Sequence, residues 1–479
     1  MPARFDTLLP CAAAICALGL AISSAQATSP RDAVRVWRKA HEKAIVADFV
    51  TLLSMPDVAT NVADVEKNAA YIEGQLKARG FETRLLTAEP GTPPSVFAEM
   101  KVPGAKRTVL FYAHYDGQPI GQKGWISSPF QPSMRTALPE AKPVDWQNAT
   151  GPLDPDWRLF ARAAGDDKAT VQAMLSALDA LKAAHIKPTV NIKLLYEGEE
   201  EQGSPHFAAL VAKNLDLLKC DLMIMGDGPM HQSGKQMVNF GNRGIASLRD
   251  DDGHILIPHF YDDVAPVSAA DRAAFAAMPP VEDQLKHALG LGRNVGPKRL
   301  ADGYLEPTLN VRAIHVGDEG PAAANAIATQ ADASFDFRLA PGETPEHTRE
   351  LLENYLTRQD WFIVRDEPDL QTRLSHPKIV KVVWDKGGAI ATKTSLDLPA
   401  SKAVVASIGR TVGYQPIELP IVGASSGMAD IVGQLHAPMA GVSIANYDDN
   451  QHAQNENLRL GNLWDGIEVY AGLLTDLNW

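Results

Sequence analysis

A chain of 479 residues is too long for one ordinary hydrophobic core, so two domains are expected. Hydrophobic residues make up 45% and charged residues 22%, proportions that exclude a disordered or fibrous chain. The net charge of −13 argues against nucleic acid as a partner, since a polyanion needs a basic surface.

The chain opens with Arg4, an apolar run Ala12 to Ile22 too short to span a bilayer, and Ala25-Gln26-Ala27. This is the pattern of a secretory signal peptide over residues 1–27, and it implies a periplasmic or secreted mature protein with no membrane attachment after cleavage. An uncleaved anchor is the alternative. Cys11 and Cys16 leave with the signal, so Cys220 alone remains and no intrachain disulfide can form. Its apolar neighbours suggest a core thiol rather than a nucleophile.

Asp32 to Leu53 and Asn61 to Arg79 read as amphipathic helices, the second with Val62, Val65, Ala69, Ile72 and Leu76 on one stripe and Gly80 at its end. Strands follow at 82–86, 95–100 and 107–113, the last apolar throughout and suited to burial on both faces. Residues 117–160, rich in Pro, Gly and Trp, read as a long loop. A helix from Lys168 to Ala184, a strand at 190–196, a helix at 205–214 and a strand at 221–226 complete an alternating pattern. The pattern predicts an α/β domain, a mostly parallel sheet flanked by helices. After Gly244 the texture changes. Residues 250–305 read as an irregular excursion with a helix near 280–290. Strands at 309–316 and 331–339, a helix at 344–359 capped by Thr344 and Pro345, and a strand at 361–364 then form a smaller α+β insert. The expected boundaries are 28–241 for the first part of the catalytic domain, 242–372 for the insert, and 373–479 for the second part of the catalytic domain.

An acidic run, Glu197-Gly198-Glu199-Glu200-Glu201, closes the apolar strand that ends near Tyr196. The carboxyl end of a strand is where an α/β sheet collects ligands. Other strand ends carry His114-Tyr115-Asp116, Asp166-Asp167 and Asp227, and Asn450-Gln451-His452 lies near the C-terminus. Each alone has a plainer explanation. His114 could be a satisfied core histidine, Asp166 a helix cap, Asp227-Gly228-Pro229 a turn, His452 a surface residue, and the acidic run a solvated face. Together they offer imidazole and carboxylate donors without cysteine, which suits zinc in a hydrolytic site.

The motifs HYDGQP (114–119), RAAGDDKA (162–169), YEGEEEQGSP (196–205), MGDGP (225–229), FGNRG (240–244) and NQHAQNENLR (450–459) resemble the dinuclear-zinc aminoacylase/carnosine-dipeptidase family. The resemblance runs from about residue 31 to the end. It implies a zinc-exopeptidase-like catalytic domain with an inserted lid, and two Zn2+ ions, with Mn2+ or Co2+ as substitutes. His114 and Asp227 would bind one ion and Glu201 and His452 the other, with Asp166 bridging and Asp116 orienting His114. Glu200 would be the general base, and the Asp166–Asp167 peptide would be cis. Arg338, Asn325, Gly423 and Ser425 would contact substrate, Arg338 by offering its planar fork to a carboxylate. The implied activity is hydrolysis of dipeptides or short peptides with a free carboxylate by a metal-bound water. An N-acyl-amino-acid amidohydrolase is the near alternative.

The sequence departs from this family after Arg243-Gly244, where Ile245-Ala246-Ser247-Leu248 leads almost directly into Arg249-Asp250-Asp251-Asp252-Gly253. Several dozen residues of the lid, including a histidine that faces the substrate oxyanion, have no counterpart. The shortening predicts a lid sheet with exposed apolar surface or an open edge, weakened catalysis and altered homodimerisation through the lid. At the extreme it predicts a metal-binding protein with little or no catalysis.

Overall fold

The computed structural model describes residues 29–121, 123–240, 254–292, 299–316, 330–384, 390–423 and 428–479. Its largest sheet has eight strands. In spatial order they are Glu82–Leu86, Ser95–Met100, Asn191–Glu197, Thr108–His114, Leu222–Met225, Met439–Gly441, Met237–Asn239 and Ile417–Leu419. The third to sixth run parallel. Ser95–Met100 and Glu82–Leu86 continue antiparallel on one flank, and Met237–Asn239 pairs antiparallel with Met439–Gly441 on the other. The expected mostly parallel sheet therefore holds for the centre, while the whole is mixed. Strand direction at the flanks depends on loop closure and leaves no mark in local periodicity.

The central strand explains why the sheet has two cores. Val109, Phe111 and Ala113 point into one cluster and Leu110 and Tyr112 into the other, as a period of two requires. The first cluster is covered by the helices Pro30–Leu53, Lys168–Ala183, Pro399–Val412 and Leu460–Asp476, which pack on one another. The second lies under Phe207–Lys213, Leu215–Leu218 and Met428–Leu435, where Phe207, Leu210, Val211, Leu218 and Ile431 are buried. Cys220 is half-buried against this second core, and burial pushes its thiol up to about 12, so it is inert as a nucleophile.

The stretch 117–160 contains two short strands, contrary to the loop expected there. Arg158–Phe160 pairs antiparallel with both Ser133–Arg135 and Asn457–Arg459. Three-residue strands carry too little periodicity to be read, and one partner is remote in sequence.

Residues 254–292 hold two helices, Ala269–Ala277 and Glu282–Leu289, where one was expected. The extra helix has a capping box between Ser268 and Asp271. Thr308–Val316 pairs with Ala331–Arg338 as a two-stranded sheet, followed by the helix Pro345–Arg358. Leu309 and Phe337 at its base are buried with Ile255, Ile257 and Phe260. The outer residues Val311, Ile314, Val316 and Phe335 are exposed. Residues around Gly244, where a shortening is expected, lie outside the described residues, as do residues 1–27, expected to be a signal. Among the described residues no helix is long and apolar enough to cross a membrane.

Candidate metal centre

The centre grows from the carboxyl ends of the parallel strands. His114 is the last residue of Thr108–His114 and pairs in register with Glu197 at the end of the next strand. The chain turns under it so that Asp116 approaches from below. Asp116 Oδ1 lies 3.4 Å from His114 Nδ1, and the Asp116 carbonyl oxygen lies 3.2 Å from the same nitrogen. The same carboxylate accepts the backbone N–H groups of Glu200 and Glu201, each at 3.1 Å. These two residues open the short 3-10 turn Glu200–Gln202 that follows the strand. Asp116 thereby fixes the imidazole and the acidic turn together.

Two trios of donor groups result. His114, Asp166 and Asp227 bring one ligand atom each within 4.8 Å of one another, and so do Asp166, Glu201 and His452. Asp166 belongs to both. Its Oδ1 is 3.0 Å from His114 Nε2, and its Oδ2 is 3.0 Å from His452 Nε2. His114 Nε2 also lies 4.0 Å from Asp227 Oδ1, and His452 Nε2 lies 3.1 Å from Glu201 Oε2. The peptide between Asp166 and Asp167 is cis, as the resemblance implies. His114 is fully buried, whereas the His452 side chain is 52% exposed, so the centre opens on the His452 side.

The sequence model of peptidase family M20/M25/M40 matches residues 110–476. The chain belongs to that family. It is 23% identical to the human Beta-Ala-His dipeptidase over 427 residues, spanning 80% of this chain and 78% of that protein. It is likewise 23% identical over 425 residues to a Cys-Gly metallodipeptidase of Schizosaccharomyces pombe, spanning 80% and 83%. Among solved structures, an M20 family metallo-carboxypeptidase from Sulfolobus solfataricus superimposes with a TM-score of 0.73 at 24% identity, covering 90% of this chain and 98% of that one. M20 metallopeptidases are metal-dependent hydrolases, and the chain shares their fold.

The electrostatics of this M20 centre suit a cation. Burial, followed by repulsion from Asp166, pushes Asp227 up to about 7. Burial and the charge of Asp227 hold Glu200 well above the ordinary carboxylate range. Glu201 is also raised by burial, against the pull of its hydrogen bond with His452. Asp166 resists burial because both imidazoles bond it, and its carboxyl lies below the usual range. Hydrogen bonds with Asp166 and Glu201 push His452 up to about 11, and bonds with Asp116 and Asp166 outweigh burial to raise His114. Buried carboxylates that oppose one another are relieved by a positive ion, which also takes the place of the imidazole protons. Oxygen and imidazole donors without thiolate fit divalent zinc, manganese or cobalt.

The structure thus gathers His114, Asp116, Asp166, Glu200, Glu201, Asp227 and His452. Arg338 Nε lies 3.0 Å from Asp336 Oδ2 on the two-stranded sheet, and Gly423 sits beside Tyr304. Asn325 and Ser425 lie outside the described residues. Two amides reach the donor cluster that the sequence reading passed over. Gln118 Nε2 donates to Glu201 Oε2 at 2.8 Å, and Gln451 Nε2 donates to Asp166 Oδ2 at 2.6 Å. Both lie inside motifs already singled out, HYDGQP and NQHAQNENLR, but neither motif says which remote loop the amide reaches.

Proposed function

We propose that the protein is a secreted dinuclear zinc metallopeptidase that hydrolyses dipeptides or short peptides carrying a free C-terminal carboxylate. His114 and Asp227 would hold one zinc ion, Glu201 and His452 the other, and Asp166 both. The observation that carries this reading is Asp166, whose two oxygens each lie 3.0 Å from a different imidazole and which joins the two donor trios. Paired divalent ions supply Lewis acidity toward an attacking water and a scissile carbonyl. The residues of the chain do the rest. Glu200, on the turn fixed by Asp116, takes the proton from the water and delivers it to the leaving amine. Substrate enters past the exposed His452. The A-x-A signal at Ala25-Gln26-Ala27 supports export. The dipeptidases among its relatives support a small-peptide substrate.

Metal analysis of the mature chain, followed by a panel of dipeptides and N-acyl amino acids, tests this reading. Two zinc ions per chain and turnover of free dipeptides are expected. Turnover of the acylated compounds alone would replace the peptidase reading with a deacylase one.

A further inference from the structure

The loops that carry Asp166 and His452 are remote in sequence, and one buried side chain joins them. Glu456 is 1% exposed, and its carboxylate accepts four N–H donors from the Asp166 loop. Oε1 accepts the backbone N–H groups of Gly165 and Asp166, each at 3.2 Å. Oε2 accepts the backbone N–H of Ala163 at 3.3 Å and Arg162 Nη1 at 2.8 Å. The fully buried Arg162 spreads the link further. Its Nη1 reaches the Ala453 carbonyl at 3.4 Å, and its guanidinium lies 5.1 Å from the centre of the Trp125 ring. Ala163 holds φ at +58°, a left-handed conformation that an alanine keeps only when its surroundings impose it. A Cβ on Gly165 would stand 2.6 Å from Asp449 Oδ2, so the two loops also pack closely at that point.

Three backbone donors converging on one carboxylate wrap the loop around it, and charge-assisted bonds hold that wrap more firmly than neutral ones. The last of these donors is the N–H of Asp166 itself. Glu456 also sits four residues after His452 on the same loop. We infer that Glu456 is a positioning residue for the metal centre. It sets the backbone of Asp166 against the His452 loop so that one carboxylate faces both trios. The inference rests on the metal-binding reading of the site.

Cobalt(II) titration of the metal-free full chain, followed by visible absorption, tests it. Glu456→Gln keeps the shape but turns an NH2 group toward two of the four donors. The variant is expected to retain its far-ultraviolet circular dichroism and to bind cobalt about 10–100-fold more weakly with altered bands, the range typical when a ligand's outer support is removed. Arg162→Lys keeps the charge without the fork and is expected to weaken binding by a smaller factor. Glu42→Gln is the control, because Glu42 is a buried carboxylate elsewhere, bonded to Arg38 and to the backbone N–H of Leu153, each at 2.7 Å. It should leave cobalt affinity unchanged. Wild-type affinity and spectrum in Glu456→Gln overturn the inference, as does equal weakening in Glu42→Gln, which would mark a general loss of stability. If Glu456→Gln does not fold, an unchanged affinity in folded Arg162→Lys overturns it instead. A wild-type chain that takes up no cobalt overturns the metal reading itself, and this inference with it.

Discussion

Asp116 bonds three groups that the proposed chemistry needs in fixed relation: the His114 ring and the backbone of Glu200 and Glu201. Asp116→Ala frees the imidazole and the acidic turn at once. Metal affinity should fall about 10–100-fold, measured by competition with a chelator, with a larger loss in turnover. Glu200→Gln separates base from ligand. Activity should drop about 100-fold or more while zinc content stays at the wild-type value, because the proton carrier is removed and no donor is. Asp166→Ala should lose metal, and unchanged zinc stoichiometry there would refute its bridging role. These residues were legible because each closes a strand or a motif with an uncommon residue type. Gln118, Gln451 and Glu456 were not, since their importance lies in what they touch, and contacts between remote loops leave no local pattern.

At the scale of elements, the strand ends require close packing that only small residues permit. Gly226 joins the strand Leu222–Met225 to Asp227, and a Cβ there would stand 2.7 Å from the Tyr470 hydroxyl and also press on Thr170 of the Lys168–Ala183 helix. Gly226→Ala should therefore cost on the order of 1–3 kcal/mol in denaturant unfolding and displace Asp227 from its trio. The loop between Ala331–Arg338 and Pro345–Arg358 makes a pH-dependent contribution. Burial pushes Glu343 up to about 7, although its carboxylate accepts the Ala340 N–H at 2.6 Å. In the unfolded chain it titrates near a glutamate's ordinary value of about 4.3. The folded state binds this proton more tightly, so the stabilisation is complete below about pH 4 and is lost as pH rises through about 7. Relative to Glu343→Gln, the wild type should lose unfolding free energy across that window, and a flat difference would refute the assignment. Long amphipathic helices and the central strands could be read from periodicity. The satellite strands could not, whereas the Ser268–Asp271 capping box was a readable sign of the helix that was missed.

For the molecule as a whole, the exposed apolar residues of the two-stranded sheet bear on assembly. Ile314 is 70% exposed, with Val311 and Val316 on the same strand and Phe335 on its partner also open. Such a surface suits a homodimer contact. Sedimentation of the wild type should show a dimer, and Ile314→Lys should shift it to monomer; a monomeric wild type would end that proposal. The shorter segment expected after Gly244 would also remove an oxyanion donor, typically worth about 2.7–4 kcal/mol in the transition state, and turnover should then be low. The pairing of Arg158–Phe160 with Asn457–Arg459 fastens the segment just before Asp166 to the one just after His452. Glu456, on the same segment, holds the backbone N–H of Asp166, and Met439–Gly441 lies beside the strand that leads to Asp227, so both trios depend on the C-terminal part of the chain. A chain that stops before Met439 should therefore bind zinc at neither trio, which metal analysis would read directly. The centre is thus closed by the end of the chain, and its metal would report that the tail has come home.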